Sequence, residues 1–485
     1  MSATETASSA AAGALAGWEV VIGLEVHCEL ATATKLFCGC RNAFGDEPNT
    51  NVCPVCLGLP GSLPVLNRQA VELAMRLGLA LHCTVAPSTF ARKNYFYPDM
   101  PKDYQISQYD QPINVDGWLE LPSGTRAGIE RAHLEEDTGK STHVGGGGRI
   151  TDAVHSLVDY NRAGVPLVEI VGRPDLRGAE DARAFVNELR AVLLAAGASD
   201  AKMEEGSMRV DANVSVRRVG DDVLGNRCEI KNLNSTRSLG RAIEYEARRQ
   251  VDLLGSGERV VQETRHWDEA DGRTHTMRSK EEAYDYRYFP EPDLVPLDPD
   301  DAWIEAARAA LPPMPADRRA ALIDVTGAGA ESAAAVVDRG LDGLVVAALA
   351  AGGDAARLLT HAEHNLAGVA SDALDPNRLA DLSRMERDGA LTATQAKTVL
   401  AEMVETGGAP AAIAESHGFE AMGADALVSV VDEVVATNPD AWASYRAGDA
   451  KVAGFFVGQV MKATKGQADG KAVTALLRAK ADAEA

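Results

Sequence analysis

The sequence predicts an α+β protein built from an antiparallel β-sheet cradle, an all-α helical domain and a small helical tail domain. Two segments of the N-terminal half alternate between apolar and polar residues, which is typical of antiparallel strands with one packed and one open face. Prolines then cluster at positions 290, 292, 296, 299, 312, 313 and 315, and the chain beyond them is Ala-rich and helix-periodic. At 485 residues the chain is too long for one core. We therefore expect a cradle over residues 17–295, a helical domain over 296–408 and a tail over 409–485.

The composition predicts a soluble globular protein and weighs against broad nucleic-acid binding. The chain is 46% hydrophobic and 25% charged, and no apolar run approaches the length of a membrane span. Its net charge of −23 has the wrong sign for an extended grip on phosphates, so any contact with nucleic acid should be local. Residues 1–16 are small and lack the basic region of a signal peptide, which predicts a disordered extension and a cytoplasmic protein.

The first predicted strand runs from Trp18 to Leu30. Every second residue from Trp18 is apolar, and the opposite face carries Glu25 and His27. Neighbours on one face of a strand lie about 7 Å apart, so this carboxylate and imidazole are adjacent. An ordinary solvated face is the plain alternative. Gly23 favours a ligand site, because a glycine within a strand often lets a ligand approach the backbone.

Four of the seven cysteines have the spacing of a zinc site. Cys38-x-Cys40 is followed after twelve residues by Cys53-x-x-Cys56. In a cytoplasmic chain, two such pairs indicate metal binding before disulfide formation. Four thiolates leave no open coordination position, so the expected Zn²⁺ is structural. We expect it to staple an insertion between two strands of the cradle.

Two amphipathic segments predict helices that pack on the sheet. One spans residues 67–81, and the other spans residues 180–196 and stops at Gly197, which suits the residue after a helix end. Neither carries a motif that indicates chemistry.

The stretch from Arg92 to Gln111 fits neither a core strand nor a helix. It reads RKNYFYPDMPKDYQISQYDQ, with tyrosines among charged and amide side chains. Rings with polar tips beside such groups are typical of a surface that handles a polar, planar ligand. A well-packed loop with its hydroxyls tied to the backbone is the alternative, and carboxylates on either side favour the ligand surface.

A second alternating strand and two further segments supply those carboxylates. From Met208 to Arg217 the polar face includes Asp211, and acids follow His133 as Glu135 and Glu136. The segment at residues 166–169 adds the acid Glu169. The alternation alone does not choose between the two glutamates after His133. Carboxylates with one imidazole suit Mg²⁺ or Mn²⁺, and an open Mg²⁺ site usually serves bound phosphates.

No nucleotide or nucleophile motif competes with this interpretation. Gly139-Lys140-Ser141 resembles the end of a phosphate-binding loop, but the required first glycine would fall at Leu134. The glycines at 145–148 follow this segment and predict a flexible turn. A nucleotide would therefore be held without such a loop, and no Ser-His-Asp or Cys-His set stands out.

The tail departs from the acidic trend of the chain. Between Arg446 and Ala485, seven basic residues (Arg446, Lys451, Lys462, Lys465, Lys471, Arg478, Lys480) face four acidic ones (Asp449, Asp469, Asp482, Glu484), so the local charge is +3. A solvated helical cap and a nucleic-acid contact both fit this composition.

Several long motifs together resemble one enzyme family. They are Gly23-Leu-Glu-Val-His27, Arg92-Lys-Asn-Tyr-Phe-Tyr-Pro-Asp99, His133-Leu-Glu-Glu-Asp-Thr-Gly-Lys-Ser-Thr-His143, Lys231-Asn-Leu-Asn-Ser235 and Asp285-Tyr-Arg-Tyr-Phe-Pro-Glu-Pro-Asp293. The chain from about residue 18 to its end resembles the B subunit of the aspartyl/glutamyl-tRNA(Asn/Gln) amidotransferases. The resemblance implies a cradle like that of glutamine synthetase and the guanidino kinases, and a YqeY-like, tRNA-binding tail.

The resemblance also implies an activity. The B subunit of this family is an ATP-dependent carbon–nitrogen ligase that phosphorylates the side-chain carboxylate of Glu-tRNA(Gln) or Asp-tRNA(Asn). Ammonia, which the amidase or A subunit releases from glutamine, then displaces the phosphate, and a small C subunit completes a heterotrimer. The resemblance implies no binding to DNA or to a membrane.

The resemblance assigns the site as well. It implies Mg²⁺ ligands at Glu25, His27, Glu136, Glu169 and Asp211, and so selects Glu136 from the pair that the alternation left open. Because some family members carry the cysteine quartet, it supports Zn²⁺ there. Lys231, Arg278 and Arg287 are candidate ligands of the ATP phosphates, and each could equally be a structural ion-pair partner.

Two other classes of function fit the same residues. A metal-dependent phosphohydrolase or nuclease would use the acids with water and would need no ATP. A zinc-bearing tRNA-binding scaffold would leave catalysis to a partner, and its acids would be solvated surface. The sequence does not choose between Asp-tRNA(Asn) and Glu-tRNA(Gln).

Overall fold

The computed structural model describes residues 15–145, 153–279, 286–366, 374–419, 424–447, 452–464, 468 and 470–483. The expected disordered extension, up to residue 14, and most of the glycine turn at 145–148 lie outside these ranges. The chain divides into two compact units between Ala316 and Asp317. Each unit is described by itself.

The first unit is built on a large sheet. Its strands are β1 (Trp18–Glu29), β2 (Thr84–Val85), β3 (Thr89–Asn94), β4 (Tyr104–Gln111), β5 (Asn114–Glu120), β6 (Arg126–Glu136), β9 (Pro166–Gly172), β10 (Met208–Arg218), β11 (Cys228–Leu233), β12 (Glu263–Asp268), β13 (Arg273–Ser279) and β14 (Phe289–Pro290). A separate hairpin pairs β7 (Lys140–Val144) with β8 (His155–Asp159).

The sheet places the alternating strands at its centre. Its order is β13-β12-β11-β10-β1-β9-β6-β4-β3-β14, with β5 beside β6 and β2 beside β5. The predicted strands from Trp18 and from Met208 are confirmed as β1 and β10, which pair antiparallel along their length. The sheet departs from the expected all-antiparallel pattern at one pair of its described strands, because β11 and β12 run parallel.

Helices cover the apolar face of the sheet. They are α1 (Arg68–Ala80), α2 (Ala179–Ala195) and α3 (Thr236–Gly255), and a fourth helix, α4 (Asp301–Ala309), packs on α1. Both predicted helices are confirmed: the Asn67 side chain caps α1 by accepting a hydrogen bond from the Gln69 N–H, and Gly197 follows α2 with φ 63°. The core between helices and sheet includes Ile22, Leu24 and Phe185, all nearly inaccessible to solvent. Burial on this side leaves the other face of the central strands for polar groups.

The first unit ends later than the proline-rich stretch predicts. Residues 296–316, expected at the start of the helical domain, belong to the first unit. Trp303 and Ile304 of α4 pack against its core, and Ser88 forms a backbone bridge with Leu297. The prolines mark a change in composition, whereas the apolar face of α4 determines where the compact unit stops.

The described part of the second unit is helical. Its helices are α5 (Pro315–Thr326, which begins in the first unit), α6 (Ala330–Asp338), α7 (Asp342–Ala350), α8 (Ala355–Thr360), α9 (Pro376–Arg387), α10 (Ala393–Thr406), α11 (Pro410–Ser416), α12 (Ala424–Ala436), α13 (Pro439–Arg446), α14 (Val452–Ala463) and α15 (Gly470–Ala483), and α8 continues into a π-helical turn (His361–Asn365). Among the described residues, no helix has the length and apolar character needed to cross a membrane.

Two hydrophobic clusters lie within the second unit. One runs from Leu322 to Ala414, and the other runs from Leu427 to Leu477. Helix α11, which the sequence places in the tail, contributes Ile413 and Ala414 to the first of these clusters. The tail core therefore begins after α11, whereas the expected tail begins at residue 409.

Candidate functional site

Strand pairing brings the predicted acids to one face of the sheet. Glu25 of β1 lies opposite Asp211 of β10, and His27 lies opposite Glu169 of β9. These side chains point away from the apolar face of β1, because alternate residues of a strand face opposite sides. The face that carries them is called the cradle face below.

The centre of the cradle face is a group of three possible metal ligands. The ligand atoms of His27, Glu135 and Glu169 all lie within 4.8 Å of one another. His27 Nδ1 is 3.0 Å from Glu135 Oε1, and His133 Nε2 is 3.2 Å from Glu169 Oε2. We call His27, Glu135 and Glu169, with the flanking Glu25 and Asp211, the acid cluster.

The structure does not bring Glu136 into the acid cluster. In β6, Glu135 shares a face with His133, and Glu136 points to the other side of the sheet. There Glu136 is buried, forms an ion pair with Lys102 and accepts a hydrogen bond of 3.0 Å from the Ile106 N–H. Glu135, and not Glu136, therefore lies in the acid cluster, because the alternation of β6 leaves Glu136 behind the sheet.

A lysine extends the cluster across two more strands. Lys231 Nζ in β11 lies 2.6 Å from Asp211 and 2.8 Å from Glu229. The Asn213 amide donates a hydrogen bond of 2.9 Å to Glu25. The sequence reasoning missed Glu229, although its alternation with Lys231 in β11 was a signal that could have found it. Lys231 is thus a cation inside a group of carboxylates.

The crowding of carboxylates is visible in their pKa values. Burial, followed by the charge of Glu169, raises the pKa of Glu25 above its usual range. Burial alone would lower the pKa of His27, but the hydrogen bond and charge of Glu135 outweigh it and raise the value to about 9. Burial alone would raise the pKa of Glu169, yet contact with His133 holds it below its usual range. Such a group favours a bound cation.

A cleft adjoins the acid cluster along β1. It has a volume of about 420 Å³, and its lining includes Gly23, Glu25, Gly172, Asn213 and Arg227. Both glycines line the cleft, and a Cβ on Gly23 would lie 3.4 Å from the Gly172 carbonyl oxygen. A glycine within a strand lets a ligand approach the backbone. The cleft can therefore take a polar molecule that reaches the acids at one end.

An aromatic wall stands on the other side of the acid cluster. Tyr109 of β4 stacks on Tyr288 with ring centroids 4.9 Å apart, and the Arg131 guanidinium lies 5.2 Å from the centre of the Tyr109 ring. Burial raises the pKa of Tyr288, as do the nearby charges of Glu135 and Glu169. The stretch that the sequence singled out as a ligand surface thus supplies Tyr109, and its partner Tyr288 was not predicted.

Two further candidate phosphate ligands are arginines, Arg287 and Arg278. Arg287 is exposed and has φ 44°, and its carbonyl oxygen accepts a hydrogen bond of 3.0 Å from the Asn94 amide. The backbone of Arg278 pairs with Thr264 in the sheet, and the Arg278 side chain lies outside the described part. Of the three predicted cations, Lys231 is in contact with the acid cluster, through Asp211.

The four cysteines lie together in the loop between β1 and α1. The sulfur atoms of Cys38, Cys40, Cys53 and Cys56 are all within 4.8 Å of one another. The Cys53 N–H donates a hydrogen bond of 3.1 Å to Cys56 Sγ, as in a tight metal-binding turn. Their chemistry and spacing fit a tetrahedral ion with thiolate ligands. The loop joins a strand to a helix, so the expectation of a staple between two strands is wrong.

Comparisons with known proteins extend over nearly the whole chain. Residues 20–305 match the family described as GatB/GatE catalytic domain, and residues 352–480 match the family described as GatB domain. The chain is 51% identical over 482 residues to the aspartyl/glutamyl-tRNA(Asn/Gln) amidotransferase B subunit of Frankia casuarinae, covering 96% of this chain and 95% of the relative.

Two further relatives carry the same name. The B subunit of Nocardia farcinica is 50% identical over 489 residues, covering 96% of this chain and 97% of that protein. The B subunit of Moorella thermoacetica is 50% identical over 479 residues, covering 95% and 99%. The chain therefore belongs to the family of aspartyl/glutamyl-tRNA(Asn/Gln) amidotransferase B subunits, with its GatB/GatE catalytic domain on the sheet that carries the acid cluster.

Proposed function

We propose that this protein uses ATP to phosphorylate the side-chain carboxylate of Glu-tRNA(Gln) or Asp-tRNA(Asn), and that glutamine-derived ammonia then converts it to the amide. The observation that carries the proposal is the acid cluster, placed between an open cleft and an aromatic wall in a chain of this family. This arrangement leaves room for two substrates on opposite sides of one set of carboxylates.

The chemistry explains why two steps are needed. Ammonia does not displace an oxide from a carboxylate, because the leaving group is too poor. A carboxylate oxygen attacks the γ-phosphorus of ATP, the bond to ADP breaks, and an acyl phosphate results. Ammonia adds to the carbonyl carbon and loses a proton, and phosphate leaves with one oxygen of the original carboxylate. The protein has to position the groups and balance the charge on the phosphoryl oxygens.

The acid cluster fits a divalent cation. We assign its binding to His27, Glu135 and Glu169, with Glu25 and Asp211 beside them, in place of the set that contained Glu136. Mg²⁺ is the ion that ATP chemistry favours, and when bound it neutralises phosphoryl oxygens. Lys231 lies in reach of the same region and can bind a phosphate oxygen in exchange for Asp211 or Glu229. The cleft beside Gly23 is the proposed place for the rest of the nucleotide.

The partners follow from the relatives. These proteins are named as B subunits of an amidotransferase, which supports a complex with the amidase or A subunit and the small C subunit, acting on mischarged tRNA. A likeness of the sheet to glutamine synthetase and the guanidino kinases, and of the tail to YqeY, is part of this proposal.

The cysteine quartet is proposed to hold one structural Zn²⁺. Cys53→Ser should reduce the zinc content from about one to near zero per chain, because one set of four thiolates holds one ion. Thermal stability should fall, whereas turnover should stay within about twofold, since the site has no open position for substrate. Elemental analysis and thermal unfolding measure both effects. Cys83→Ser, outside the quartet, should keep the zinc; native protein without metal would contradict the assignment.

We propose that the tail binds the body of the tRNA. Its described helices have a separate core around Trp442 and Phe456, and Lys462 and Arg478 are exposed on it. Truncation after Phe419 removes this core and spares α11. Affinity for mischarged tRNA should fall about tenfold or more, and the salt dependence should weaken by roughly one unit of slope for each phosphate that the protein no longer binds.

Binding measurements on the intact and truncated complexes over a range of salt concentrations test the tail. Glutamine hydrolysis without tRNA is the control and should persist, because it belongs to the amidase in this proposal. If the intact and truncated complexes bound tRNA with equal affinity and the same salt dependence, the tail would be a helical cap without a role in tRNA binding.

The proposed activity is tested by the reconstituted complex. Each mischarged tRNA is incubated with glutamine, with and without ATP, and the amino acid on the tRNA is identified. Amide should form only with ATP, and the better substrate identifies the physiological tRNA. Hydrolysis of phosphate esters without ATP would instead support the phosphohydrolase or nuclease, and full activity of variants in the acid cluster would support the scaffold.

A further inference from the structure

We propose that the stacked pair Tyr109 and Tyr288 is a platform for the terminal nucleobase of the tRNA acceptor end. The inference rests on the proposed function and deepens it by naming the group that positions the aminoacyl end. Aromatic rings hold unpaired bases by stacking, which tolerates any base, and guanidinium planes act in the same way. The platform therefore has the chemistry for a single-stranded RNA end.

The position of the platform fits a substrate attached to that end. Ser107 of β4 pairs with Glu135 of β6, and Tyr109 lies two residues along the same face of β4. Glu135 of the acid cluster is on the neighbouring strand and Glu169 is one strand beyond it, so the platform is about one to two strand spacings, or roughly 5–10 Å, from the acids. The amino acid is esterified to the ribose that carries the terminal base. One aminoacyl group can therefore reach from a base on the platform to the acids.

The platform is accessible and rigidly held. Tyr109 is 49% exposed, whereas Tyr288 is half-buried beneath it. The Asn94 amide donates hydrogen bonds of 2.9 and 3.0 Å to the carbonyl oxygens of Tyr286 and Arg287, and thus ties the segment before Tyr288 to β3. A fixed platform binds a base without the entropic cost of ordering a loop.

Two cationic side chains lie beside the platform. The Arg131 guanidinium lies 5.2 Å from the centre of the Tyr109 ring, and Lys93 Nζ lies 4.7 Å from the centre of the Tyr286 ring. In a protein with a net charge of −23, this pair supplies local positive charge for the terminal phosphates. Neither tyrosine of the platform lines the cleft beside Gly23, so a nucleotide bound in the cleft leaves both rings free.

The test removes the two stacking partners separately: the aromatic ring of Tyr109 from the protein, and the terminal base from the tRNA. Uncharged tRNA, either intact or lacking its terminal adenosine, competes with mischarged tRNA in the complete complex. The unaltered complex should prefer the intact competitor by roughly 5- to 150-fold, as about 1–3 kcal/mol of stacking implies. Tyr109→Ala should bring this ratio close to one, and Tyr109→Phe should restore it because the ring is kept.

Further variants make each outcome decisive. Tyr288→Leu should also reduce the ratio, and Phe96→Ala, which removes a ring that is 76% exposed elsewhere in the same stretch, should leave it unchanged. An unaltered ratio in Tyr109→Ala overturns the proposal. A rise in the KM for ATP with no change in the ratio also overturns it, because the platform would then hold the adenine of ATP. Failure of the proposed function is distinct, since the unaltered complex would then form no amide.

Discussion

Glu135→Gln should reduce ATP-dependent phosphorylation of the mischarged tRNA by roughly 10²- to 10³-fold, the loss typical of removing one group that stabilises developing charge. Glu135 lies 3.0 Å from His27 and is one of three possible ligands within 4.8 Å of one another. The amide side chain keeps the shape of the carboxylate but removes the charge that would hold a cation. ADP release that depends on mischarged tRNA, with ammonium as the nitrogen donor, measures this step without relying on the amidase.

The adjacent residue is the matched control. Glu136→Gln removes one charge at the next position of β6, behind the sheet and against Lys102. It should cost stability, because a buried lysine loses its charged partner, but phosphorylation should stay within about tenfold of the unaltered complex. Asp211→Ala should behave like Glu135→Gln. If Glu136→Gln lost phosphorylation while Glu135→Gln retained it, the assignment of the cradle face would be reversed.

Arg92→Ala should lower the free energy of unfolding of the first unit by about 3–5 kcal/mol, since it leaves a buried carboxylate without its cation. Arg92 donates hydrogen bonds of 2.6 and 2.8 Å to Glu291, whose side chain is inaccessible to solvent, and one of 3.2 Å to Asp293. The pair joins β3 to the strand after Tyr288 across about two hundred residues of sequence. The loss should therefore also loosen the aromatic wall.

Denaturant unfolding followed by tryptophan fluorescence measures this effect. Four of the five tryptophans (Trp18, Trp118, Trp267, Trp303) lie in the first unit, so the signal reports mainly on it. Arg41→Ala is the control, because its guanidinium is largely exposed and its contact with Asp46 is 3.4 Å long. An exposed pair of this kind contributes at most about 1 kcal/mol. Equal stability losses in the two variants would show that the Arg92 pair is not a structural clamp.

Local periodicity is sufficient to predict which residues lie on each face of the central strands. Alternation placed Glu25, His27 and Asp211 on open faces, and β1 and β10 have those faces because Ile22, Leu24 and their neighbours are buried. The four cysteines were likewise recognised from spacing, since a tight turn brings each pair together. In both cases the information lies within about twenty residues of chain.

Features that depend on distant pairing were not predictable in this way. The choice between Glu135 and Glu136 depends on which residues of β6 share a face with Glu169 of β9. That face is known only from the register of the two strands, in which His133 lies opposite Glu169. The stack of Tyr109 on Tyr288 depends on the pairing of Arg92 with Phe289. The end of the first unit depends on Trp303, which packs against a core formed by other segments of the chain. Local composition does not predict this packing.

The fate of the carboxylate oxygens tests the proposed chemistry most directly. Mischarged tRNA is prepared with both oxygens of its side-chain carboxylate replaced by ¹⁸O and is converted by the complete complex with glutamine and ATP. The released phosphate should carry one ¹⁸O for each amide formed, because the acyl phosphate leaves with an oxygen of the carboxylate. Amide formation with unlabelled phosphate would contradict phosphorylation of the side chain on the cradle face.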